Sequence, residues 1–243
     1  MGAAFVWGVL AASSLVIGSV VALLVSIPER VVGLILGFGA GVLISAVAFD
    51  LVEEAASKSS GHGAAIAGLF VGCGVFFAGD WFIDRAGGAD RKDANGGQES
   101  GSGLAIVLGT ILDGIPESMV IGLTIFEGGA VGAAYLAAVF ISNLPESISS
   151  TSGLVTAGWK KSHILWMWIA IAVISGIASL AGYAFFQHSS PDTVAFVLTF
   201  AAGAILTMLA DTMMPEAYDH GGKLVGVVTT FGFAVAYVIR TLD

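Results

Sequence analysis

The chain has 243 residues, of which 56% are hydrophobic and only 11% charged, and its mean hydropathy is +0.93. Soluble domains carry about a quarter of their residues as charges, so this composition excludes a soluble globular protein. It points to an all-α polytopic membrane protein, read as one transmembrane domain over 1–243. A net charge of −9 without a basic patch excludes a nucleic-acid partner, and the single Cys73 excludes an internal disulfide or a multi-cysteine metal site.

Eight apolar segments follow in chain order, at 3–26, 31–49, 64–79, 103–126, 130–157, 164–186, 194–210 and 224–239. Several fall short of the roughly 20 residues that span a bilayer, but each extends into a polar flank. No Lys or Arg precedes the first segment, so it lacks the basic start of a signal peptide and is expected to stay as a helix. In the second, Gly33, Gly37, Gly41 and Ser45 form a small-residue ladder that marks a close-packing face. Asp50, Glu53 and Glu54 are expected to end that helix, and Asp211, Glu216 and Asp219 to end the seventh. The one long break, 85–103, is rich in Gly, Asp and Ser and reads as a flexible loop.

The basic residues orient the chain. Arg30, Arg85, Arg91, Lys92, Lys160, Lys161 and Lys223 follow helices 1, 3, 5 and 7, and only Lys58 and Arg240 fall on the other side. Under the positive-inside rule both termini lie outside and the 85–103 loop is cytoplasmic. His62, His163, His188 and His220 all fall at expected membrane boundaries, as interfacial histidines do. Trp159, Trp166 and Trp168 read as part of an interfacial belt.

Helices 2 and 7 repeat one another. Phe38, Gly41, Ser45 and Glu54 match Phe200, Gly203, Thr207 and Glu216 without gaps, and His62 and His220 are expected to open the following helices, with Gly68 and Gly226 equivalent six residues on. Because helix 2 runs outward and helix 7 inward in the expected topology, the repeat is inverted, as in many transporters. Chance similarity between two Gly/Ala-rich helices is the competing reading.

Segments four and five carry the chemistry. Asp113, Pro116, Glu117 and Ser118 in one are echoed by Ser142, Asn143, Pro145, Glu146 and Ser147 in the other. A charged side chain at the centre of a membrane helix costs roughly 2.5–3.5 kcal/mol on insertion scales, so it persists with a partner or a purpose. Each proline also frees a carbonyl four residues earlier, at Leu112 and Ile141. Asp113 and Glu117 share a helix face, as do Ser142 and Glu146. A tight turn around 127–129 makes the two helices antiparallel neighbours, with Glu117 and Glu146 roughly 15 and 25 Å from that turn. Carboxylates, an amide and hydroxyls form an all-oxygen set for a hard divalent cation such as Mg, Mn, Fe(II) or Zn. Protonated glutamates hydrogen-bonded across a helix pair are the bland alternative. Asp50, Asp211 and Glu216 read either as solvated helix ends or as pathway relays.

These residues resemble the ZIP (Zrt/Irt-like) family of divalent metal transporters over essentially the whole chain. The resemblance rests on the two Pro-Glu motifs, on Met214, Pro215, Glu216 and Ala217 in helix 7, and on the Gly-rich helix 2. It implies eight helices in a 3+2+3 arrangement, with helices 1–3 and 6–8 forming the inverted repeat. It also implies homodimers, and a helix group that carries the site past a static one. Carried over residue by residue, Glu117 and Glu146 are the metal ligands, Asp113 stands where members commonly have His, and Ser142 and Asn143 complete the shell. Gly114 stands where members have Asn, and Ser118 and Ser147 replace glycines. A helix 6 glutamate has no counterpart, Ser175 and Ser179 being the nearest polar residues.

The expected function is transport of a Zn, Mn or Fe(II)-class cation across a plasma or cytoplasmic membrane into the cytoplasm, with the metal as substrate and no organic cofactor. The lipid bilayer and the metal are the expected partners. A ZIP-fold carrier of a non-transition-metal or proton-coupled solute, an intramembrane hydrolase and a metal sensor are the competing classes. The chain lacks a P-loop and a Gly-x-Ser-x-Gly or Ser-His arrangement, which argues against ATP-driven pumping and hydrolysis. Cysteines placed at Asn95 and Ser190 should label from opposite sides of the membrane; labelling from one side would overturn both the topology and the inversion.

Overall fold

The computed structural model describes residues 2–88, 103–128 and 133–242. Eight helices cover them: α1 (Gly2–Leu24), α2 (Glu29–Lys58), α3 (His62–Ile83), α4 (Gly103–Gly128), α5 (Ala133–Thr156), α6 (Lys161–Phe186), α7 (Pro191–Gly221) and α8 (Leu224–Thr241). No strand occurs among the described residues. Asp84–Gly88 prolongs α3 as a π-helical turn, with Gly87 at φ 93°, a left-handed backbone that suits glycine. Positions 89–102 of the expected loop, and 129–132 of the expected turn between α4 and α5, lie outside the described residues.

Seven helices are long and apolar enough to cross a membrane, which makes this an integral membrane protein; α5 is the helix that composition alone does not place there. Its polarity is turned inward. Ser142, Asn143, Glu146, Ser147, Ser149, Ser150 and Thr151 are all buried. Hydroxyls donate to the helix's own carbonyls, Ser142 to Val139 at 3.0 Å, Ser147 to Leu144 at 3.0 Å and Ser152 to Ile148 at 2.8 Å. Trp168 of α6 donates its indole N–H to the Thr151 hydroxyl at 2.9 Å. A helix whose polar groups are satisfied inside the protein need not match the hydropathy of a lipid-facing one.

Helices 2 and 7 run further than their apolar segments. α2 continues to Lys58 and α7 to Gly221, so Asp50, Glu53, Glu54, Asp211, Glu216 and Asp219 lie within helices and not beyond their ends. Both contain a π-helical stretch, Val47–Glu53 in α2 and Leu209–Met213 in α7. After the first, Glu54, Ala55 and Ala56 are helix formers, and Lys58 pairs with Glu54 at 3.0 Å one turn back. Directly after the second, Pro215 lies in the first turn of the α-helical stretch Met214–Gly221, where its missing N–H removes a donor to the π-helical stretch before it. His220 consequently closes α7 and does not open α8, which begins at Leu224.

Of the seven apolar helices, α2 and α7 are the most enclosed and α3 and α8 the least. α3 packs along α7, α8 along α2, α1 against α5 and α6, and α4 against α6. The outer pairs meet backbone to backbone. A Cβ on Gly72 of α3 would collide with the Phe200 carbonyl of α7, and one on Gly203 with the Leu69 carbonyl. Between α2 and α8, a Cβ on Gly232 would collide with the Phe38 carbonyl, and one on Gly41 with that of Thr229. The ladder therefore does mark a packing face: Gly33 meets Gly221, Gly37 meets Val225, and Gly41 meets Thr229. The glycines in matching contacts are Gly72 and Gly232. Gly68 and Gly226 are not in matching surroundings, since Gly68 abuts Phe196 while Gly226 has open space around it.

At one end of the bundle the α2–α3 loop is tied to the start of α7, where Ser60 donates its backbone N–H and hydroxyl to the Asp192 carboxylate at 3.0–3.1 Å. At the other, Lys161 at the start of α6 donates to the Leu23 carbonyl near the end of α1 at 3.0 Å, a helix C-terminus that favours a cation. Gly72 and Gly74 separate packing from lipid exposure on one helix, since a Cβ at Gly74 meets nothing within 4 Å. Gly72→Val should cost about 1–3 kcal/mol by overpacking, read as a lower unfolding midpoint in detergent, while Gly74→Val should unfold where the wild type does.

Candidate functional site

α4 and α5 each continue through their proline, so Pro116 and Pro145 sit inside helices. The carboxylates beside them are enclosed: Glu117 is 3% exposed, Glu146 6% and Asp113 3%. Thr110 and Ser118 on α4, and Ser142 and Asn143 on α5, are buried with them. All five residues expected to bind metal are therefore in the protein interior, away from lipid.

The surroundings of the two motifs differ. On α5, the Pro145 ring packs where Gly39 of α2 lacks a side chain; a Cβ there would lie 2.8 Å from the ring and 3.0 Å from Met213 of α7. On the other side Gly18 of α1 sits against the Leu144 carbonyl and the Ser147 hydroxyl. The second Pro-Glu motif is thus clasped between glycines of α1 and α2. Ser147, a glycine in the resemblance, fits because the glycine is on the neighbouring helix. On α4, Pro116 borders an apolar cavity of about 220 Å³ with Ile115, Met119, Phe186, Phe196 and Phe200. Gly114 faces Ser175 of α6, whose hydroxyl would be 3.8 Å from a Cβ there. Ser179 instead donates to the Ala4 carbonyl of α1 at 2.8 Å, a structural contact.

α4 and α5 make little direct contact along their lengths; α1 packs against both. Among the described residues, no three His, Cys, Asp or Glu side chains converge closely enough to form a ready-made metal cage. Thr110, Ser142 and Asn143 offer buried neutral oxygens on the same two helices.

The three expected pathway residues have different settings. Asp50 receives a hydrogen bond from Arg240 of α8 at 3.2 Å. Asp211 is exposed beside a groove lined by Leu69, Phe70, Cys73 and Thr207, within electrostatic reach of buried Asp80. Glu216 lies 2.6 Å from His220, with side chains only 18% and 9% exposed. His220 was legible only as an interfacial histidine, although its spacing of four from Glu216 on one helix was the available signal. Tyr135 carries no motif, and Arg240 is legible in the sequence only as one of two basic residues on the outer side. Tyr135 is buried in the first turn of α5.

No family model matches the chain. Over 111 residues, 46% of this chain, it is 30% identical to the protein named Zinc transporter foi of Drosophila melanogaster. The chain covers 15% of that relative's length.

Proposed function

We propose that the chain is a ZIP-like carrier that moves a divalent metal cation of the Zn, Mn or Fe(II) class through the membrane, using Glu117 and Glu146 as its principal ligands. The observation that carries this reading is the pair of buried Pro-Glu motifs on two helices of an apolar bundle. Two enclosed carboxylates flanked by Asp113, Ser142 and Asn143 are costly in a membrane, and a transient cation offsets that cost. The likeness to a zinc transporter supports the same substrate class. A shell of few carboxylates and several neutral oxygens suits a carrier, which must release what it binds.

The inverted repeat and the 3+2+3 arrangement are part of this reading. Two parallels support them. The π-helical stretches begin at Val47 and Leu209, the same 162-residue offset that relates Phe38 to Phe200 and Gly41 to Gly203. The Phe38–Gly232 and Gly41–Thr229 approaches between α2 and α8 correspond to Phe200–Gly72 and Gly203–Leu69 between α7 and α3. The bias of basic residues supports outside termini; transport toward the cytoplasm is the direction this reading assigns.

Reconstituted protein should take up Mn²⁺ or Zn²⁺. Glu117→Ala and Glu146→Ala should each lower uptake per folded molecule by about 10–100-fold, as loss of a metal-holding group does. Near-wild-type uptake in both variants would sink the site. Asp113→His exchanges a hard oxygen for a borderline nitrogen and should raise the zinc-to-manganese uptake ratio in mixed-metal competition. An active Asp113→His variant with an unchanged or lower ratio would remove Asp113 from the ligand set.

A further inference from the structure

Carboxylates within membrane helices almost always face the bundle interior or a cavity. Asp113, Glu117 and Glu146 follow that rule, being buried; Asp211 does not. It is exposed on α7 and borders a groove of about 420 Å³, whose other walls include Phe70, Cys73 and Phe77 of α3 and Leu206 and Thr207 of α7. Phe70 is 70% exposed, Phe77 58% and Leu206 41%, so the groove opens on the surface that lipid covers. Among the described residues, neither Asp211 nor Arg85 of the α3 end has a hydrogen bond or an ion pair.

Helix register fixes the depth of this acid. α3 and α7 run parallel: Gly68 abuts Phe196, Gly72 abuts Phe200, and a Cβ on Gly203 would lie 3.0 Å from the Cys73 nitrogen. Asp211 and Trp81 each lie roughly 12 Å of helix rise beyond that last contact, and so at one level. Trp81 is 41% exposed, and the Arg85 guanidinium lies 3.6 Å from its ring centre. Such exposed aromatic and basic side chains mark the membrane–water interface. Measured from Pro191, Asp211 is roughly 30 Å along α7, about the thickness of the hydrocarbon core. Asp211 and Arg85 thus stand at headgroup depth, while Phe70 and Leu206 lie toward the bilayer centre. Phe77 and Trp81 share a face of α3 one turn apart, so the groove continues to the guanidinium.

We propose that this groove binds an aminophospholipid of the bilayer, with its primary ammonium on the Asp211 carboxylate and the Thr207 hydroxyl, its phosphate on Arg85, and an acyl chain along Phe70, Phe77 and Leu206. Donors and acceptors match. Thr207 donates its own proton to the Gly203 carbonyl at 2.8 Å, so its oxygen is left as an acceptor, as a carboxylate is. A primary ammonium brings three donors to these two acceptors, whereas a quaternary choline ammonium brings none. Stacking on Trp81 engages one face of the guanidinium and leaves its N–H edge for phosphate oxygens. One acid and one base at the same level complement a zwitterion, and the apolar groove between them is continuous with the lipid-facing surface. The inference does not depend on the carrier reading above.

The test uses the intact protein in phosphatidylcholine nanodiscs, doped with either phosphatidylethanolamine or phosphatidylcholine carrying brominated chains, which quench nearby tryptophans. The quenching that disappears in Trp81→Phe reports the groove. At equal low doping, phosphatidylethanolamine should quench Trp81 about fivefold more effectively than phosphatidylcholine, the upper range for an exposed ion pair. Asp211→Asn should bring that ratio to about one, and Arg85→Gln should weaken quenching by both lipids about threefold while keeping their ratio. Both side chains are exposed, so both variants should unfold at the wild-type midpoint. Should Asp211→Asn not fold, Thr207→Val removes the second acceptor and should lower the same ratio. Equal quenching by the two lipids in the wild type, a preference that survives Asp211→Asn, or quenching unaffected by Arg85→Gln would overturn the proposal. A Trp81 shielded from both lipids would mean that a second copy of the chain covers the groove, and would overturn it as well.

Discussion

Lipid gives apolar helices no hydrophobic reason to associate, so this bundle depends on how closely its backbones approach. The approach is made by single missing side chains. Gly41 and Gly232 bring α2 onto α8, Gly72 and Gly203 bring α3 onto α7, and Gly122 and Gly182 bring α4 onto α6, each set against a backbone carbonyl of the partner helix. Glycine weakens a helix interior in water by about 1 kcal/mol relative to alanine. Here the dispersion attraction between closely spaced backbones offsets that loss, and it holds α2 and α7 at the centre of the fold.

This packing explains how α5 can exist. A helix carrying Ser142, Asn143, Glu146 and a run of further hydroxyls would be a poor membrane span alone. Glycines of α1 and α2 lie directly against it, at Gly18 and Gly39, and leave its polar side little lipid to face. Serine and threonine hydroxyls spend their donors on carbonyls of the same helix. Carboxylates and an amide are left buried in the protein interior, where electrostatic interactions are stronger than in water.

The two ends of the central helix pair are charged differently. Near the π-helical stretch of α2, Asp50 and Glu53 face an arginine from α8. Near that of α7, Asp211 borders a groove with Cys73 and Thr207, and Glu216 is paired with His220. π-Helical turns often accompany functional sites, and both of these re-aim the residues that follow.

The sequence by itself determined the membrane class, the eight helices and the packing face of α2, because hydropathy and small-residue spacing are local properties that survive without knowledge of the partner. It also marked the Pro-Glu segments, whose carboxylates are indeed buried. It misjudged where α2 and α7 end, since acidic residues look like helix termini unless a π-helical stretch and neighbouring helices carry the chain onward. It misplaced His220, and it marked Arg240 only as a basic residue of the outer side, without its acidic partners on α2. Only the tertiary structure could bring Arg240 to Asp50 across 190 positions and pair Gly72 with Phe200. Those contacts arise between helices far apart in the chain, where the closest backbone fit decides which side chains meet.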